Sequence, residues 1–248
     1  MCYTDDARPP LPPIRGAASD SGDLELKAAD GNQFAAFFAR AERPSGAGMV
    51  VMPDVRGLHH FYKELAERFA EAGIDAVAID YFGRTTNDSE RPEDFDWKPH
   101  IEQTSPEHVR ADVAAGAAYL RSADGGAVRS VFTVGFCWGG AQSWRQSAAN
   151  PDLQGVIGFY GVPTRVREVI PEMKVPMLLL IAGDDFTPRE EFQRFDEELT
   201  EAGVKHRMQI YEGAPHSFFD RTFAEHQRAC NDAWKRILDF VKENSATG

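Results

Sequence analysis

Along the chain, short apolar runs alternate with longer stretches whose apolar positions recur at helical spacing. That alternation predicts an α/β fold, with a mostly parallel central sheet and helices on both faces. Residues 24–27 and 34–38 flank the turn pair Asp30-Gly31, which predicts an antiparallel hairpin at the N-terminal edge. The runs 48–52, 75–80, 131–134, 155–160 and 177–181 read as buried central strands, and 207–211 alternates as a last strand. Helices are expected over about 61–72, 188–202 and 224–241. Ser105-Pro106 supplies an N-cap and a first-turn proline for another, running to about 122.

Two segments fall outside this pattern. Residues 1–22 are rich in Pro, Ser, Asp and Gly and read as a flexible arm without a core of its own. The polar stretch 83–103, with two prolines, Trp97 and many acids, reads as an excursion over the mouth of a site. No repeat or composition break divides the remainder, so 23–248 is expected to be a single domain.

Composition narrows the class. Hydrophobic residues at 42% and charged residues at 27% exclude a disordered or fibrous chain. A formal charge of −12 repels phosphate backbones and anionic lipid at long range, so neither nucleic acid nor membrane is an expected partner. The same field requires a local basic group wherever an anionic substrate binds. Three widely spaced cysteines, Cys2, Cys137 and Cys230, suit neither a disulfide framework nor a zinc cluster. With no export signal legible in the early acids and prolines, a cytoplasmic protein is expected.

The chemistry is concentrated at three strand ends. Gly135-Phe136-Cys137-Trp138-Gly139-Gly140 follows a strand and precedes a helix, the context of a G-x-nucleophile-x-G elbow. The nucleophile of such a turn occupies strained backbone, and glycines two before and two after let strand and helix approach closely. A helix N-terminus beside Cys137 favours the thiolate and leaves backbone N–H groups for an oxyanion. Asp184-Asp185 follows the 177–181 strand and His216 follows the 207–211 strand, giving the order nucleophile, acid, base. All lie where open α/β sheets place their ligands. Counting backwards from Pro188 favours Asp184 as the acid and counting forwards from Gly183 favours Asp185; Asp184 is the expected member. The adjacent His59-His60 pair lacks metal-ligand spacing and reads as a surface pair or a pocket wall.

These residues resemble the dienelactone hydrolase family of the α/β-hydrolase superfamily, through residues 135–140, Gly-Phe-Tyr-Gly at 158–161, Ala-Gly-Asp-Asp-Phe-Thr-Pro at 182–188 and His-Ser-Phe at 216–218. A cysteine in the elbow is the specific mark. The resemblance implies a thiol partner at Asp54, where the family usually has glutamate. Aspartate is about 1.5 Å shorter, one carbon–carbon bond, so its repulsion of the thiolate is expected to be weaker. It also implies an oxyanion hole from the backbone N–H groups of Val55 and Trp138. For the two arginines that hold a substrate carboxylate in studied members, the positions here offer Arg221, one place late, and Arg84 or Arg91.

The expected function is therefore hydrolysis of a small ester or lactone through an acyl-cysteine intermediate, with no cofactor or metal and a small molecule as the partner. A general carboxylesterase or thioesterase with the same residues is the near alternative. A redox-sensing protein using Cys137 is the alternative from another class. Either a monomer or a homodimer is compatible with the sequence.

Overall fold

A computed structural model of the chain describes residues 3–86 and 91–246. Eight strands form one sheet: β1 (Ala18–Lys27), β2 (Gln33–Ala41), β3 (Ala47–Met52), β4 (Asp75–Ile79), β5 (Ser130–Phe136), β6 (Gly155–Phe159), β7 (Met177–Asp184) and β8 (His206–Pro215). Their spatial order is β1-β2-β4-β3-β5-β6-β7-β8. β2 pairs antiparallel with β1 and β4, and every later pairing is parallel. This is the mostly parallel α/β sheet with an antiparallel N-terminal edge that the sequence pattern predicts.

Side-chain alternation explains the two cores. Along β3, Met49 and Val51 enter one apolar cluster while Val50 and Met52 enter the other, as a period of two requires. The first cluster is closed by α1 (His60–Glu71) and α6 (Gln227–Asn244), which bury Phe61, Phe69, Trp234 and Ile237. α3 (Pro106–Arg121), α4 (Trp138–Ala149) and α5 (Arg189–Glu201) cover the opposite face with Val113, Leu120, Trp144 and Phe195. α3 starts at the expected cap: Ser105 Oγ accepts from the His108 N–H, and the His108 ring reaches back to the Ser105 N–H. Within the stretch 83–103 lies the short helix α2 (Lys98–Gln103); part of that stretch, residues 87–90, lies outside the described residues.

The opening arm differs from the flexible segment expected. β1 begins at Ala18, and Tyr3 and Ala7, 2% and 1% exposed, belong to the first apolar cluster. Trp234 Nε1 donates to the Pro10 carbonyl at 3.0 Å, which seats the arm on α6. An arm too poor in apolar residues to build a core can still contribute single side chains to one made elsewhere. Among the described residues, no helix is long and apolar enough to cross a membrane.

Candidate active site

The elbow closes as its glycines require. Cys137 stands between β5 and α4 at φ 56° and ψ −116°, a strained left-handed conformation for a residue with a Cβ. Adding a Cβ at Gly135 would drive it into the Gly139 carbonyl, and one at Gly139 into the Pro53 carbonyl. The close packing of strand, helix and neighbouring loop is therefore a condition of the strained turn. The Cys137 N–H donates to the Phe159 carbonyl at 3.1 Å, and the half-buried thiol remains at the mouth of the turn.

His216 follows β8 and is brought to the thiol by a tight turn, with Ser217 at φ 67° and the Phe218 N–H donating to Pro215 O at 3.1 Å. Its Nδ1 lies 2.7 Å from Asp185 Oδ2, and the imidazole shares a further hydrogen bond with Cys137. Burial pushes the imidazole pKa down. The Asp185 hydrogen bond and the contact with the Cys137 sulfur outweigh it and lift the pKa to about 9.

The carboxylate that meets the imidazole is thus Asp185 and not the expected Asp184. β7 runs three residues further than its apolar run 177–181 suggests, so Asp184 is still a strand residue, paired with Pro215 and exposed to solvent. Asp185, the first residue past the strand, turns inward with its side chain only 1% exposed, and its Oδ1 accepts the Thr187 N–H at 3.1 Å. That second bond holds the carboxylate plane toward the ring.

On the other flank Asp54 is fully buried. Its Oδ1 accepts the Arg56 N–H at 2.9 Å, while Oδ2 has no hydrogen-bond partner. The pKa rises to about 7, first because burial disfavours the anion and then because negative charge on Cys137 repels it. Asp54 therefore meets the sulfur through charge, without a hydrogen bond from the shorter side chain. Tyr81 fixes the loop by donating to the Pro53 and Asp54 carbonyls, and the Asp54 N–H is 3.0 Å from Tyr62 Oη. Gly57, at φ 75°, completes a turn that the Asp80–Arg91 ion pair leaves no room to fill. Within that turn sits Val55, and Trp138 opens α4 where backbone N–H groups lack intrahelical acceptors.

Because an acid with a raised folded pKa costs stability only when ionised, the cost is absent below about pH 4 and complete above about 7. Asp54→Asn should accordingly raise Tm at pH 8 by a few degrees, on the order of 1–2 kcal/mol, and leave it unchanged at pH 4. The same variant should speed iodoacetamide alkylation of Cys137 severalfold above pH 7, with rates converging below pH 6. Equal rates at every pH would remove Asp54 from the thiol's surroundings.

Neither Arg84 nor Arg221, the arginines expected at a carboxylate site, is free to hold one. Arg84 pairs with Asp30 at 2.7 Å and Asp112 at 2.8 Å, tying the β1–β2 turn to α3. Arg221 pairs with Glu64 on α1 at 2.8 Å. Arg91 is locked bidentate on Asp80. For Arg84 and Arg221 the partners are far away in sequence, and the pairing is invisible until the chain folds. His59 and His60 form the wall of a cavity of about 460 Å³ with Arg56, Lys63 and Arg91, whose cations are answered by Asp5, Asp23 and Asp80.

Sequence reading passes over two aromatic rings. Phe186 and Tyr160 lie with centroids 4.6 Å and 4.7 Å from the His216 ring. Phe186 is the residue after the acid and is 69% exposed, a position and exposure that suit the rim of a binding site. Among the described residues no cluster of three or more side chains could hold a metal ion.

Comparison with known proteins bears on the family and the fold. The sequence profile of the dienelactone hydrolase family matches residues 34–245. A Salmonella typhi protein provisionally named carboxymethylenebutenolidase is 26% identical over 231 residues, covering 86% of this chain and 84% of its own. Its Escherichia coli K12 counterpart is equally similar, covering 86% and 83%. Among solved structures, a provisionally named dienelactone hydrolase from Klebsiella pneumoniae superimposes with a TM-score of 0.77 at 23% identity, covering 90% and 99% of the two chains. A dienelactone hydrolase-like promiscuous phosphotriesterase from metagenomic libraries gives 0.73 at 22% identity, covering 93% and 100%. The chain belongs to the dienelactone hydrolase family.

Proposed function

We propose that this hydrolase cleaves small esters or lactones through an acyl-cysteine intermediate, with Cys137 as nucleophile, His216 as general base and acid, and Asp185 as the residue that orients His216. The observation that carries the reading is the unbroken chain of contacts from Asp185 through the imidazole to a thiol held on a strained elbow. Cys137 Sγ gives its proton to His216 as it attacks the ester carbonyl, and the carbon–oxygen bond to the alcohol breaks. The alcohol leaves with the proton from His216. Water then attacks the thioester, His216 takes its proton, and the acid departs as the proton returns to sulfur. The backbone N–H groups of Val55 and Trp138 would carry the negative oxygen of each tetrahedral intermediate.

Since His216 must hold a proton for the leaving group, kcat/KM for a neutral short-chain aryl ester should fall as pH rises through about 9. A profile that keeps rising past pH 10 would remove the imidazolium from the mechanism. A general carboxylesterase or thioesterase is the second reading, and one observation favours it: Arg84 and Arg221 are bound to carboxylates of the chain itself. A panel of neutral aryl esters, acyl thioesters and dienelactone, assayed with the purified protein, separates the two. Turnover of dienelactone far above the neutral esters supports the family's namesake activity, and the reverse order supports the general esterase. No hydrolysis of any member would sink both.

A further inference from the structure

The opening arm makes contacts that a mere tether would not need. Tyr3, 2% exposed, lies flat on Phe61 with ring centroids 3.8 Å apart. Its hydroxyl donates to the Phe219 carbonyl at 3.3 Å. The Tyr3 and Tyr160 hydroxyls also share a hydrogen bond, in which either oxygen can be the donor. Tyr160, just past the C-terminal end of β6, is held at φ 36°, a left-handed conformation with no glycine to relieve it, and is 1% exposed. Its ring lies 4.7 Å from that of His216.

Two further anchors bind the arm to the loops on either side of the thiol. Asp5 pairs with Arg56 at 2.5 Å, on the turn that carries Asp54 and Val55. The Arg8 N–H donates to Asp220 Oδ1 at 3.1 Å, and the Arg221 N–H donates to the Arg8 carbonyl at 2.9 Å, on the segment that leaves His216. One short stretch of chain therefore touches the Asp54 turn, the Tyr160 turn and the His216 loop.

We propose that Tyr3 is a positioning residue for the hydrolytic reaction, acting through the Tyr160 hydroxyl to hold Tyr160 against His216 so that the imidazole keeps its place between Asp185 and Cys137. This rests on the reading of His216 as the general base. Tyr3 touches none of the reacting atoms. Its contribution is rigidity in a ring whose placement sets the rate, because small misplacements of a catalytic group cost far more than the contacts themselves.

The test uses the full chain with Tyr3→Phe, which keeps the stack on Phe61 and loses only the hydroxyl. Rates are normalised to active sites counted by iodoacetamide incorporation. For Tyr3→Phe, kcat on a short-chain aryl ester should fall about tenfold with KM changed less than about twofold. The alkaline limb of the profile should move to lower pH, because a loosened imidazole loses the partners that hold its proton. Tyr160→Phe should give the same loss, and the double variant no more than either alone, as expected for two ends of one contact. Unchanged kcat per site and an unmoved limb in Tyr3→Phe would overturn the proposal, whatever happens to Tm. If His216→Ala itself retained hydrolysis, the base assignment would fall and the proposal with it. A dead His216→Ala beside a fully active Tyr3→Phe would remove the positioning role alone.

Discussion

Cys137→Ala is expected to lower kcat/KM for a short-chain aryl ester by about three orders of magnitude or more, with Tm changed by less than about 3 °C. The size follows from the role, since without sulfur no acyl intermediate forms and only the oxyanion donors and binding remain. The small effect on stability follows from position. The side chain is half-buried at the mouth of the turn, and the strain belongs to the backbone around it. Cys137→Ser tests nucleophile chemistry more narrowly, because it leaves shape and hydrogen bonding nearly intact. It should remain at least about a hundredfold below the wild type, since the surroundings suit a thiolate more than an alkoxide. Activity of Cys137→Ala within about a tenth of the wild type would mean that hydrolysis occurs elsewhere.

The two neighbouring aspartates should behave very differently. Asp185→Asn should reduce kcat by about 10²–10⁴-fold, because an amide at that place cannot stabilise the imidazolium and favours the wrong tautomer at Nδ1. Asp184→Asn should stay within about twofold of the wild type, as an exposed strand-end carboxylate without contact to the ring. Reversed magnitudes would return the assignment to Asp184. Two small effects would remove the carboxylate from the mechanism.

Those aspartates also mark where local sequence stops being informative. The elbow was legible because its requirements are local: a strand before, a helix after, and glycines at the two positions where a Cβ would collide with backbone. The sheet was legible for the same reason, since short continuous apolar runs declare buried strands without reference to partners. The choice between Asp184 and Asp185 depends on whether β7 continues as far as Asp184. That is set by its pairing with Pro215 on β8, and nothing within 182–188 records it.

The arginines failed for a related reason. Arg84 and Arg221 stand near the positions a carboxylate clamp would use, but Asp30, Asp112 and Glu64 claim them, from 54, 28 and 157 residues away respectively. The arm was the least legible part of all. Its composition is that of a disordered segment, and its order comes from a few side chains, Tyr3 and Ala7 among them, that dock into a core assembled by the rest of the chain. Tyr3 meets Tyr160 across 157 positions and Phe219 across 216, so no window along the sequence could reveal either contact.

The measurement that bears most directly on the central claim is capture of the acyl-enzyme. The protein is mixed with an excess of an activated aryl ester, quenched in acid during turnover, and examined by intact mass and peptide mapping. One acyl group per chain, on the peptide containing Cys137 and released by neutral hydroxylamine as a thioester should be, is the predicted result. An enzyme turning over the ester with Cys137 unmodified, or with the acyl group on another residue, would contradict it.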